Sequence, residues 1–488
     1  MARSIQFHVK VEPYSHQKDA FLFACSKFGF SNEIKEPNST GVALMMEVGC
    51  GKTLTSIAIV GEMYCKKRIK KLLIVCPISV MGVWDEEFKK FADFEFSITL
   101  LNGSSFKKAS LLKKLEGDVL QIAVINYESM WRIEKEISKW NPDMIIADEG
   151  HKIKTPGTAV SKAMHRIGAK TKYKLLLTGT LITNKELDVF SQYKFLNTDI
   201  YGKSYYMFRN RYFDMTGYGN YTPVLKQSTR QELAEKLHSI AYRITKEECL
   251  DLPEKTDVIR YVNLEPQAFK IYKNMARNCF ASLSKGDVSA TNVLTKHLRL
   301  SQITGGFLKA DDDDNCSQIS KAKLDALDDI IEDVIHSGKK LVVMARFVPE
   351  IDAICKLLEN KKINYSLVKG GVSDRAEQIA RFQKDSDTCV FVGQIAAAGL
   401  GVTLTASSVM VFYSLDRSAI NFEQAKARIH RAGQTEKCTY IYLLAKGTID
   451  EISIRSLKEK KNVETEILDE FRKGKNPFIL KGDIDDER

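Results

Sequence analysis

What this chain of 488 residues lacks narrows it first. Its ten cysteines include no C-x-x-C pair, so neither a zinc site nor a disulfide framework is indicated, and a reducing cytoplasm is the expected compartment. No apolar run is long enough to span a bilayer; LLIVCPISVMGVW, residues 72–84, is among the longest and stops short, so no membrane partner is expected. The opening residues MARSIQFHVK hold no apolar core of a secretory signal. The acidic stretch DDDDN (311–315) lacks the glycine and glutamate spacing of a calcium loop and reads as solvated. A single core is also excluded, because a chain of this length divides into two or three domains.

What is present begins with charge. The formal net charge of +11 points to a polyanionic partner. The basic run KKRIKK (66–71) leads directly into an apolar strand and reads as its solvated entry.

Continuous apolar runs separated by amphipathic stretches predict parallel sheets covered by helices, an α/β fold. In the first half these runs are VALMM (42–46), LLIVCP (72–77), IAVINY (122–127), MIIAD (144–148) and YKLLLTGT (173–180). The second half repeats the pattern with KLVVMARF (340–347), NYSLVKG (364–370), TCVFVG (388–393), VMVFYS (409–414) and TYIYLLA (439–445). A linker is expected in LDLPEKT (250–256), dividing the chain into lobes 1–250 and 251–488. Helical insertions are expected at about 185–245 and 262–318, the first aromatic-rich, with a helical segment closing the second lobe.

The chemistry concentrates at MMEVGCGKT (45–53), which matches the phosphate-loop pattern G-x-x-x-x-G-K-[ST] except that Met46 stands at the first glycine. Gly49 and Gly51, flanking Cys50, permit a tight turn whose N–H groups face inward, backed by the helix beginning near Thr53. Lys52 is placed to reach the β- and γ-phosphates, and Thr53 to hold Mg²⁺. The strand MIIAD then ends in Asp148 and Glu149 at the sheet edge where ligands sit in open α/β folds. Asp148 is the second expected Mg²⁺ residue, acting through water, and Glu149 the base for the attacking water. The second half has no glycine-lysine-threonine loop, which suggests a nucleotide held between two lobes.

These motifs acquire specificity in series. DEGHKIK (148–154) resembles the DEAH-type box of superfamily 2 helicases, and its neighbours resemble the Snf2 family of DNA translocases. EPYSHQ is similar to the adenine-reading segment, with Gln17 on the base; VGCGKT to a phosphate loop in which position 46 need not be glycine. LIVCPISVMGVWDEEF resembles a nucleic-acid-contacting block, LLLTGTLITN the coupling motif with Leu181 in place of a usual proline, and YRITKEECLDLPEKT the segment between the lobes. In the second lobe AAAGLGVTLTASS, holding Gly399 and Gly401, resembles the fifth motif, with Ala398 replacing a common glycine and wording similar to the annealing-helicase branch. FEQAKARIHRAGQ is close to Q-x-x-x-R-x-H-R-x-G-Q and is the most specific string.

The resemblance implies two RecA-like lobes with helical insertions and an ATP cleft between them, in a compact motor of bacterial or phage type. It implies ATP and Mg²⁺ as cofactors, double-stranded DNA as partner and action as a monomer. Gln424, Gly399 and Gly401 join the ATP residues, and Arg428 and Arg431, three apart on a presumed helix, serve the transition state. Ser79, Trp84, Lys152 and Lys154 are the candidate nucleic-acid contacts; for Trp84 a core position competes equally. A strand-separating DNA or RNA helicase and an ATP-controlled clamp share these motifs. Short spacing between ARFVPE and RAGQ leaves no evident wedge, which favours translocation over strand opening.

Overall fold

Leucine and β-branched residues in unbroken runs fold as strands where both sheet faces are covered. In the computed structural model these runs build one parallel sheet in each of two units, Met1–Asp251 and Leu252–Arg488. The structure describes residues 5–30, 38–179, 186–216, 222–249, 253–285, 290–309, 316–372, 374–398, 402–459, 463, 466, 467 and 478. The linker centre at 250–252, Leu181, the DDDDN loop, and Gly399 and Gly401 lie outside the described residues.

In the first unit the strands are β1 (Gly41–Met46), β2 (Lys71–Cys76), β3 (Phe96–Leu100), β4 (Leu120–Asn126), β5 (Met144–Asp148) and β6 (Tyr173–Thr178). An antiparallel hairpin follows, β7 (Phe213–Thr216) and β8 (Thr222–Leu225), then β9 (Ala241–Ile244). The sheet order is β3-β4-β2-β5-β6-β1-β9, and every pairing in it is parallel. Alternation along β2 shows why the runs are continuous: Leu73 and Val75 enter one apolar cluster, while Leu72, Ile74 and Cys76 enter the cluster on the other face. Helices cover both faces with one stripe each. Ala159–Lys170, capped by the Thr158 hydroxyl accepting from the Ser161 N–H at 3.2 Å, buries Ala163, Met164 and Ile167.

The second unit holds β10 (Lys255–Val262), the hairpin β11 (Phe307–Lys309) and β12 (Cys316–Gln318), β13 (Leu341–Ala345), β14 (Tyr365–Val368), β15 (Val390–Gln394), β16 (Val409–Phe412) and β17 (Cys438–Ala445). Its sheet runs β10-β17-β16-β13-β15-β14, again wholly parallel. Helices Pro266–Lys285 and Ala290–Thr304 precede the hairpin. Between residues 345 and 434 the described strands pair only in parallel; the hairpins fall elsewhere in the chain.

Seven strands are additions to the reading of the sequence: β3, β9, β10 and the hairpins β7–β8 and β11–β12. The first hairpin interrupts a stretch read as helical: the helix Tyr205–Tyr212 ends where Phe213 begins a strand. Among the described residues no helix is long and apolar enough to cross a membrane. Cys25, Cys50, Cys65, Cys76, Cys249, Cys355 and Cys389 form no disulfide.

One buried carboxylate of the second unit gives a pH-dependent stability. Glu350, fully buried at the start of the helix Val348–Asn360, accepts from the Arg346 and Phe347 N–H groups (3.2 and 3.1 Å) and the Ser414 hydroxyl (2.5 Å). Burial pushes its pKa up from 4.5 to about 7, outweighing these hydrogen bonds. A raised carboxyl pKa stabilises the fold fully below the unfolded value, and that contribution is lost as pH rises through about 7. The size is on the order of 3 kcal/mol. Denaturant midpoints of the second unit should therefore fall between pH 4.5 and 7, and Glu350→Gln should flatten that slope. All three tryptophans lie in the first unit, so circular dichroism alongside indole fluorescence separates the two transitions.

Candidate nucleotide site

Because its strands are parallel, the first sheet brings the loop after β1 and the carboxylates after β5 to one edge. Met46 is the last residue of β1, fully buried in the apolar cluster and paired with Ile244, so this position belongs to the strand and accepts a large side chain. The turn itself lies further on. Gly49 and Gly51 adopt φ of 101° and 81°, and the helix Lys52–Cys65 starts directly after Gly51.

The loop is held on two sides. His16 Nε2 and Gln17 Nε2 both approach the Cys50 carbonyl, at 2.9 and 3.4 Å. Gln17 lies so close that a Cβ on Gly51 would fall 2.0 Å from its amide nitrogen. The Gln17 Oε1 accepts from the Tyr14 N–H at 3.0 Å, so the amide braces the loop and its own helix start. On the opposite side Glu47 N–H donates to the Ile244 carbonyl (3.1 Å), and the Lys246 N–H donates to the Glu47 carboxylate (2.9 Å). The Cys50 and Cys249 sulfurs are 3.5 Å apart, and burial pushes the Cys50 thiol up to about 12, which keeps it protonated. Lys52 Nζ donates to the carbonyls of Met46 (2.8 Å) and Glu47 (3.3 Å), within the loop, and Thr53 occupies the first helical turn.

Asp148 closes β5 and is almost wholly buried. Its Oδ1 accepts from the Glu149 N–H at 2.9 Å and its Oδ2 from the Trp84 indole N–H at 3.1 Å, while the Tyr127 hydroxyl donates to its carbonyl at 2.7 Å. Burial, and next the Glu149 carboxylate, push Asp148 up to about 6; the Lys52 ammonium opposes them. Lys52 is thus near enough to Asp148 to act on its charge. A desolvated carboxylate beside a second carboxylate is short of positive charge, and its hard oxygens suit Mg²⁺.

Glu149 sits at φ 53° and ψ 53°, a left-handed conformation uncommon for a residue with a Cβ. Its Oε2 is 3.3 Å from His151 Nδ1. Gly150 is required by space: a Cβ there would meet Leu176 of β6 at 2.4 Å. Gly150→Ala, which would create the D-E-A-H wording, should destabilise the first unit by about 1–3 kcal/mol. Leu176→Ala should lessen that penalty in the double variant, as read from the tryptophan-reported denaturant midpoint.

Trp84 is corrected from a nucleic-acid contact to a core residue: it is 0% exposed, on the helix Met81–Phe91, with its one polar atom on Asp148. An apolar aromatic cluster holds the ring, so it cannot stack on a base. Lys152 is exposed; Lys154 is half-buried and paired with Asp188 at 3.7 Å. The side chain of Ser79 lies outside the described residues.

In the second unit the expected helix face is also corrected. The helix Ala419–Lys426 ends before either arginine, because the Arg428 carbonyl accepts from the Leu404 N–H at 2.9 Å and the chain turns away. The two guanidinium groups still converge, both donating to the Val402 carbonyl at 3.3 Å. Arg428 is 5% exposed and also donates to the carbonyl of the buried Gln424, at 2.9 Å. His16, Tyr127, Glu47 and Lys246 were not singled out in the sequence: a histidine before Gln17 and a tyrosine closing an apolar run read as ordinary core.

The SNF2-related domain model matches residues 17–305, more than half of the chain. The chain belongs to the SNF2-related family. The helicase conserved C-terminal domain model matches residues 322–433 of this SNF2-related chain. Similar curated proteins include an uncharacterized ATP-dependent helicase of Mycoplasma genitalium, 27% identical over 85% of this chain and 39% of its own length. A DNA repair and recombination protein RAD54-like of Gallus gallus is 27% identical over 98% of this chain and 71% of its own. The chain thus spans about two-fifths of the length of the mycoplasmal relatives, at 39% and 41%. Among solved structures the Sulfolobus solfataricus SWI2/SNF2 ATPase core in complex with dsDNA is 26% identical, covering 97% of this chain and 96% of that one, with a TM-score of 0.46.

Proposed function

We propose that this SNF2-related chain is an ATPase that moves along double-stranded DNA, working as a single chain in a reducing cytoplasm. The observation that carries the reading is the braced glycine loop and Lys52 at the same sheet edge as the desolvated Asp148–Glu149 pair. Phosphoryl transfer asks the protein mainly for positioning and charge stabilisation, and this edge offers both.

In this reading the loop N–H groups and Lys52 bind the phosphates, and Lys52 leaves its loop carbonyls to do so. Glu149 orients the attacking water and takes its proton. Thr53 and Asp148 hold Mg²⁺, which when bound neutralises charge on the β- and γ-phosphates. Arg431, with Arg428 behind it, lends positive charge to the transition state. DNA would be met mainly at its phosphates, with Lys152 the exposed candidate among the lysines after the box. The net charge of +11 and the DNA-repair function in the name of the RAD54-like relative support a DNA partner.

The test compares ATPase rates with duplex DNA, single-stranded DNA and RNA. Duplex DNA should stimulate most, with an affinity that falls steeply with salt and depends little on sequence. ATP-dependent displacement of a third strand, with little opening of a fork, is the expected sign of movement. Stimulation by single strands alone, with efficient fork opening, would place the protein among the strand-separating helicases.

A further inference from the structure

We propose that Trp84 is a positioning residue for the cation-holding carboxylate, its indole N–H fixing Oδ2 of Asp148 in the orientation that serves Mg²⁺. The inference rests on the ATPase reading above and deepens it. Each oxygen of Asp148 receives one N–H, Oδ1 from the Glu149 backbone at 2.9 Å and Oδ2 from the indole at 3.1 Å. Two donors on different oxygens set the plane of a carboxylate and still leave a lone pair on each oxygen. Groups that orient metal ligands in this way tune metal sites as strongly as many ligands do.

The residue type suits the task. An indole N–H only donates, so it cannot compete with Asp148 for a cation, and it does not titrate in the range where the enzyme would work. Its orientation is fixed by packing: the ring is 0% exposed and lies 6.1 Å from the Phe88 ring at 38°. A serine, asparagine or histidine could hydrogen-bond Oδ2, but each could also present an acceptor to the metal. Packing alone does not require the polar edge of the ring to face a buried carboxylate.

Two measurements on the full chain test this. With only three tryptophans, ¹⁵N-indole spectra should show three cross-peaks. The Trp84 peak should be protected from exchange and should move on Asp148→Asn, with no nucleotide present. The second measurement replaces Trp84 by 3-benzothienylalanine, which keeps the ring and removes only the N–H. That variant should keep the parent's metal-free ATP affinity and lower the unfolding midpoint, since Oδ2 loses its donor. Its Mn²⁺ affinity with a non-hydrolysable ATP analogue, read by electron paramagnetic resonance, should fall about 10- to 100-fold. Phe88→Leu, which disturbs packing and leaves the N–H, should lower the unfolding midpoint without moving Mn²⁺ affinity. Unchanged Mn²⁺ affinity in the benzothienyl variant would overturn the proposal while leaving the ATPase reading intact. A parent that binds no metal–nucleotide would instead remove that reading, and this inference with it.

Discussion

Arg431→Ala is expected to lower kcat about a thousandfold or more, the usual scale for an arginine that stabilises a phosphoryl transition state, while ATP affinity stays near that of the parent. The guanidinium acts on charge that spreads over the γ-phosphate as the bond breaks, so its loss is felt in turnover and little in binding. The neighbouring arginine should behave differently. Arg428 is 5% exposed and serves two carbonyls, those of Gln424 and Val402, inside the second unit. Arg428→Ala should leave the Gln424 carbonyl short of a donor, Val402 keeping Arg431, and lower stability by about 1–3 kcal/mol, besides any effect on rate. Arg431 is only part-buried and shares the Val402 carbonyl, so its removal should leave the unfolding midpoint almost unchanged. Rapid-quench kinetics beside thermal melts separate the two cases. Normal turnover by Arg431→Ala would remove it from the site.

Glu149→Gln is expected to bind ATP like the parent and to hydrolyse it about 10²- to 10⁴-fold more slowly, the range for losing a general base. The amide keeps the shape of the side chain but cannot take a proton from water. The backbone at φ 53° is set by the turn into Gly150–Ile153, where the Lys152 N–H donates to the Glu149 carbonyl at 2.9 Å, so the substitution should not disturb the fold. Equilibrium binding of a fluorescent ATP analogue and single-turnover hydrolysis give the two numbers. Hydrolysis near the parent rate would show that another group takes the proton.

The sequence made the interior strands legible and hid three of the four sheet edges, β14 being the exception. Runs such as LLIVCP and MIIAD are buried on both faces, so their residues announce them. β10, KTDVIRYV, is an edge strand with Val258, Ile259 and Tyr261 exposed, and its mixed composition looks like a linker continuing. β3 is likewise an edge strand, of the first sheet, and its residues are all only part-buried. The phosphate loop was readable because glycine at positive φ is a backbone requirement that few residues meet. Its supports were not, because His16, Lys246 and Cys249 reach Cys50 or Glu47 from distant parts of the chain. Spacing likewise places Arg428 and Arg431 near each other, yet the helix that should have done so ends at Lys426, and a shared carbonyl brings them together.

The place of β1 in its sheet also sets an order of assembly on the ribosome. β1 pairs with β6 on one side and β9 on the other, and the loop after it is tied to Ile244 and Lys246. Synthesis at ~5–20 residues per second therefore leaves about 10–40 s between the emergence of Met46 and of its last partner strand, β9. Throughout that interval a fully apolar strand offers an unpaired edge, the kind of surface that chaperones hold and that aggregates recruit. The glycine loop after β1 is thus completed only when translation of the first unit is almost finished.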